Sequence, residues 1–284
     1  MLNNGQGKRC PAGRQTEAGL WDDLQKHQEG KGSTAVAYDD RKELARQVLE
    51  LIELTFLADH CTEEDVRELC RRARTPHGDV AAVCVPPKFV SVARDALKGS
   101  RIAVSTVANW PRGRSKVDYV AAEAEIAFFE GADEVNVIMP WRQVIQREER
   151  TPASMMEECA RMAGRRQFIK ATLEAGELND EFLVRDATRV AINNGAEFIE
   201  TESGKTDARC TMDHVRMILE EIRDHHRDSG FKVGNVETLD EARDYLELIA
   251  EVMGEDWVNP DNVRLGGNRL LDEVLAVLDE AKAA

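Results

Sequence analysis

Four polar side chains interrupt apolar runs: Asn136 in DEVNVIM, Lys170 in QFIKATLE, Glu200 in EFIETESGK and Lys232 in GFKVGN. Read as β-strands, these segments send successive side chains to opposite faces. An inward Lys170 leaves Ile169, Ala171 and Leu173 facing out. An inward Glu200 leaves Ile199 and Thr201 out and turns Glu202 in. Lys232 points in between Phe231 and Val233, and Asn136 between Val135 and Val137. Buried charges must be paired, and the row Lys170, Glu200, Lys232 offers that pairing. A carboxylate between two ammonium groups can also move a proton beside a carbonyl and hold the negative charge that develops on its oxygen. A self-neutralising interior without chemistry is the plain alternative.

Such a row needs neighbouring strands wrapped around a common axis. Eight short apolar runs are expected as strands: Leu54–Leu57, Val80–Val85, Ile102–Val107, Glu134–Met139, Phe168–Leu173, Phe198–Thr201, Phe231–Gly234 and Val263–Leu265. Between them, segments such as VRELCRRA, FLVRDATRVAI and ARDYLELIAEV carry helical apolar spacing. Thr62 with Asp65, Asn179 with Glu181, and Thr238 with Glu241 read as helix starts, while Gly131 and Gly195 read as helix stops. A helix is expected from about Asp39 to Leu51. Strand and helix alternating eight times predict a (β/α)8 TIM barrel, with chemistry at the carboxyl ends of the strands. The expected layout is a flexible N-terminal extension over 1–38, rich in Gly, Gln, Lys and Ser, and a barrel over 39–284.

Composition narrows the function classes. With 53 acidic against 38 basic side chains the formal charge is −15, which argues against a nucleic-acid partner, since phosphate backbones need clustered Lys and Arg. The six cysteines include no C-x-x-C pair, and no Cys/His spacing matches a zinc site, so no metal and no other cofactor is expected. Unpaired thiols, an N-terminus without the apolar core of a signal peptide, and no run of about 18 apolar residues predict a cytoplasmic protein with no membrane partner.

Several blocks in order, ELTFLADHCTEEDV, AAVCVPPKFV, STVANWPRG, GADEVNVI, FIKATLEAGEL, GAEFIETESGK, GFKVGN and RLGGNRLL, make the chain from about Glu53 to Leu278 resemble the deoxyribose-phosphate aldolase family. The resemblance implies a cofactor-free carbon–carbon lyase acting on a sugar phosphate through a lysine Schiff base, and a homodimer. It sets Glu200 at the position of the family's imine-forming lysine and Asn136 at that of its proton-relay aspartate. Lys232 matches the second, pKa-lowering lysine, and Glu53 stands at a first-strand aspartate. A carboxylate cannot form an imine. Gly204 and Lys205 match the phosphate-side motif. The glycine-rich loop after strand seven is shortened to Gly234 and Asn235, with Glu237 where a basic residue is typical. After strand eight, Gly266, Gly267 and Asn268 precede Arg269, which could replace missing serines as an anion contact. Cys84 reads as a packed core thiol, His60 as incidental, and Trp110 as either a pocket wall or loop filler.

Three functions remain open on these residues. One is an aldolase-like lyase with altered chemistry on a small carbonyl compound or sugar phosphate, with ordinary deoxyribose-phosphate cleavage weak or absent; any imine would then use Lys170 or Lys232, both expected beside Glu200. Another is an imine-independent isomerase or dehydratase with Glu200 as acid/base. The last is an inactive binding or partner protein.

Overall fold

A computed structural model of the chain describes residues 41–178, 180–225 and 229–280. The expected extension, the Asn179 cap and His226 lie outside the described residues.

Eight parallel strands close into a barrel: β1 Ile52–Thr55, β2 Ala82–Cys84, β3 Ala103–Ala108, β4 Glu134–Ile138, β5 Phe168–Thr172, β6 Phe198–Glu200, β7 Gly230–Val233 and β8 Val263–Gly266. Strand β8 pairs with β1 to complete the ring. Around it lie α1 Arg41–Leu51, α2 Glu63–Arg72, α3 Val90–Ala96, α4 Val117–Phe129, the short α5 Trp141–Ile145, α6 Arg150–Met162, α7 Glu181–Asn193, α8 Met212–Asp224, α9 Leu239–Met253 and α10 Asn268–Asp279. A small antiparallel hairpin, Arg74–Thr75 with Gly78–Asp79, sits between α2 and β2. The outward residues of the strands, among them Leu54, Val83, Val135, Ile169, Ile199 and Phe231, are fully buried beneath the helices. Apolar burial between ring and helices is thus the main stabilising layer.

Local signals act as expected at most helix ends. Thr62 with Asp65 and Thr238 with Glu241 form reciprocal capping boxes. Gly131 and Gly195 adopt positive φ just past α4 and α7, where a side chain would be strained. At the start of α7 it is Asp180 that accepts from Phe182 N.

The first strand departs from expectation. It runs Ile52–Thr55, two residues before the expected Leu54–Leu57. The Asn268 amide donates to Thr55 O at 2.7 Å and accepts from Thr55 N at 3.0 Å, so it takes over both backbone groups where the strand ends. Residues from Phe56 on belong to the barrel mouth, and Glu53 falls inside the strand, facing the lumen.

Candidate active site

The lumen is filled by a chain of alternating charges. Arg264 Nη2 lies 3.4 Å from Glu134 Oε1, and Glu134 Oε2 lies 2.6 Å from Lys170 Nζ, a contact of charges without hydrogen-bond alignment. Lys170 Nζ donates to Glu53 Oε2 at 2.5 Å, and Lys232 Nζ donates to Glu53 Oε1 at 2.6 Å. Lys232 Nζ also meets Glu200 Oε1 at 2.7 Å, and the Thr172 hydroxyl donates to Glu200 Oε2 at 2.6 Å. Three carboxylates (Glu134, Glu53, Glu200) face three cations (Arg264, Lys170, Lys232), so the ladder is formally neutral. That balance is what makes its burial tolerable.

The pairing differs from the sequence expectation at one place. Lys170 does not sit beside Glu200; its ammonium is held by Glu53 and Glu134. The stagger of the strands is the reason. In the β5–β6 register Lys170 stands opposite Phe198, and Thr172 stands opposite Glu200. Lys232, by contrast, is opposite Glu200 in the β6–β7 register. Glu202, expected to point inward, instead accepts from Cys210 N and pairs with Arg209 Nε at 3.3 Å. Glu134, Thr172 and Arg264 were missed as lumen residues, although alternation from Asn136 and Lys170 would have marked the first two; Arg264 stands opposite Lys232 only through the β7–β8 register.

Electrostatics separate the ladder's members. Burial, the largest single influence on Glu53, pushes its carboxyl upward, but the ammonium groups of Lys170 and Lys232 together outweigh it and hold the group well below the ordinary carboxylate range. Burial would likewise strip the proton from Lys232, yet Glu200 and Glu53 more than offset it and raise this lysine above its usual range. Lys232 therefore stays an ammonium, the opposite of what a nucleophilic amine requires. Burial drives the Cys84 thiol up to about 12, which makes it an inert packed group.

Above the ladder opens a cavity of about 380 Å³ at the carboxyl ends of the strands. Glu200, Lys232, Thr172, Asn136 and Cys84 line its floor. Lys170 and Glu53 are fully buried below it and do not line it. Asn136 accepts from the Ser105 hydroxyl at 3.2 Å. Trp110 is a wall of the cavity, whereas His60 only packs edge-on against Phe56.

Of the expected anion contacts, Gly204, Lys205, Gly234, Asn235, Gly266, Gly267 and Asn268 line the cavity. Arg269 does not. Its guanidinium turns outward to Glu237 at 2.9 Å and is largely exposed, because it sits on the solvent side of the first turn of α10. The glycines have a structural reason as well. A Cβ on Gly234 would lie 1.9 Å from Glu202 O, one on Gly266 2.4 Å from Gly234 O, and one on Gly267 2.2 Å from Val236 O. Arg209, which no local pattern marked, reaches the cavity but is engaged by Glu202 and by Asn235, whose amide oxygen accepts from it at 2.8 and 3.0 Å when oriented to satisfy both residues. Among the described residues no group of three or more His, Cys, Asp or Glu is placed to hold a metal ion, and no helix is long and apolar enough to cross a membrane.

Comparison with known proteins agrees with this architecture. The model of the DeoC/LacD family aldolases matches residues 33–244. A deoxyribose-phosphate aldolase of Agrobacterium fabrum is 38% identical over 248 residues, covering 86% of this chain and 96% of the relative. Two solved structures of a Toxoplasma gondii protein provisionally named a deoxyribose-phosphate aldolase superpose with TM-scores of 0.77 and 0.76 at 25% and 28% identity. They cover 87% and 84% of this chain and 97% and 98% of theirs. By motif blocks, barrel topology and these matches, the chain belongs to the DeoC/LacD aldolase family.

Proposed function

We propose that this barrel acts on a small carbonyl compound carrying an acidic group such as a phosphate, by proton transfer at Glu200 and Lys232 rather than through an imine. The observation that carries the reading is Lys232 Nζ, fixed between Glu53 at 2.6 Å and Glu200 at 2.7 Å with its charged form favoured. An ammonium so held does not attack a carbonyl; it donates a hydrogen bond to the carbonyl oxygen. Glu200 then takes a proton from the carbon beside the carbonyl, the electron pair moves onto oxygen, and Lys232 stabilises the resulting enolate until the proton returns. In a β-hydroxy carbonyl substrate Glu200 instead takes the hydroxyl proton. The carbon–carbon bond breaks, an aldehyde leaves, and the same enolate is protonated on carbon. Both routes start from one geometry, so lyase and isomerase readings share their first requirement. Asn136 and Thr172 orient the floor, and Gly204, Lys205, Gly234, Asn235 and the Gly266–Asn268 turn form the anion end. Lys170 supports the site from below. Ordinary deoxyribose-phosphate cleavage is expected weak or absent.

The test is deuterium exchange into acetaldehyde and into pentose phosphates in heavy water, followed by NMR, beside borohydride trapping with acetaldehyde and peptide mapping. Exchange should occur and fall by about 100-fold in Glu200→Gln, with no adduct on any lysine. A trapped adduct on Lys170 or Lys232 would overturn the imine-free route, and neither exchange nor adduct would leave a binding barrel without chemistry.

A further inference from the structure

The positive charges around the mouth are not equally available. On the side of β7 and β8, Arg209 is engaged by Glu202 and Asn235, and Arg269 by Glu237. In an eight-stranded ring the loops after β3 and β4 lie across the mouth from those after β7 and β8. There the segment Trp110–Pro111–Arg112–Gly113–Arg114 carries two exposed arginines, and among the described residues neither guanidinium has an acidic partner. We propose that Arg112, Arg114 and Arg142 form a second anion subsite on this rim, so that the ligand carries an acidic group at each end.

The segment is rigidly placed. Asn109, in left-handed backbone with φ 57°, donates through Nδ2 to Ile138 O at 2.7 Å and accepts through Oδ1 from Ser115 N at 2.8 Å. Gly113, at φ +63°, lies so close to β4 that a Cβ there would come within 2.8 Å of Met139 O. Arg142, on α5, stacks over Trp141 and donates through Nη1 to Arg112 O at 2.9 Å. Arg142 is thereby tied to the backbone of the segment that carries Arg112 and Arg114, on a chain whose formal charge is −15. Burial and then the repulsion from Arg114 and Arg112 lower the pKa of Arg142, against the attraction of Glu177 and Glu174. Like charges held together on a pre-set loop are a standing cost that a bound anion relieves, and forked guanidiniums match phosphate and carboxylate oxygens. Trp110, on the same segment, lines the cavity and has the Lys205 ammonium 5.6 Å from its ring centroid, so the segment borders the cavity although the three arginines do not themselves line it.

This inference rests on the proposed substrate class but not on the chemistry at Glu200, and binding measurements keep the two apart. Calorimetry at low salt should be run with ribulose monophosphate and ribulose bisphosphate, on wild type and on the double variant Arg112→Ala/Arg114→Ala, with circular dichroism to confirm the fold. The bisphosphate should bind wild type about tenfold more tightly than the monophosphate. In the double variant that advantage should shrink to about twofold while monophosphate affinity is retained. Equal affinities in wild type, or an advantage that survives the double substitution, would overturn the subsite whatever the exchange experiment gives.

Discussion

Lys170 and Lys232 share the carboxylate of Glu53, one on each oxygen, and each has a second glutamate beyond it. Yet they belong to different regions of the barrel. Lys170 is closed off at 0% exposure, with Glu134 and Arg264 below it. Lys232 sits at the floor of the cavity beside Glu200 and Thr172. Charge and pairing are nearly the same in the two layers, and access is not. What distinguishes the two lysines is the layer of the lumen each occupies.

Removing the shared acid is the most severe way to break this comparison. Glu53→Leu leaves two buried ammonium groups without their common partner, and should cost about 3–5 kcal/mol in urea unfolding. A loss below about 1 kcal/mol would mean that the two layers do not depend on this carboxylate.

Taking out each lysine in turn sharpens the distinction. On the proposed mechanism, Lys232→Met should lower the exchange rate of the folded protein by about 100- to 1000-fold. Lys170→Met should destabilise by about 3 kcal/mol but lower exchange far less, about tenfold at most. Equal loss of exchange in both variants would erase the division between a supporting layer and a reacting one.

The smallest effect concerns acidity. Glu53 binds its proton less tightly folded than unfolded, so its stabilisation is fully present above the ordinary carboxylate value of 4.5 and is lost as pH falls through its depressed folded value. Glu174 is the opposite case. Burial raises its pKa against hydrogen bonds from Ser203 N at 3.3 Å and the Thr206 hydroxyl at 3.1 Å, and its other oxygen has no hydrogen-bond partner among the described residues. Its folded form holds the proton more tightly, so it is neutral to stability below 4.5 and costs stability as pH rises through its raised value. Glu174→Gln should therefore melt slightly higher than wild type at neutral pH, and the difference should vanish in acid. A lower neutral melting temperature would show that the charged form is what holds the Ser203–Thr206 segment.

Much of this was legible from residue order. Apolar runs marked all eight strands, although β1 was displaced by two residues because the Asn268 side chain that ends it comes from the far end of the chain. Alternation placed Asn136, Glu200 and Lys232 in the lumen, where they line the cavity. It could not set their heights. Which inward residue meets which depends on the shear of a closed ring, and that shear put Thr172, not Lys170, beside Glu200. Arg269 follows the same logic. Its place after the glycine pair suggested an anion contact, but the helix face it occupies turns it to Glu237.

The sequence by itself determined the alternation of elements, the inward placement of Asn136, Lys170, Glu200 and Lys232, and the family, because strand periodicity and motif order are properties of the chain taken one segment at a time. Only the tertiary structure decided which charges pair, which of two matching lysines reaches the cavity, and that Arg112 and Arg114 have no acidic partner among the described residues. Those outcomes depend on distances between strands and loops far apart in the chain, and ring closure alone brings them together.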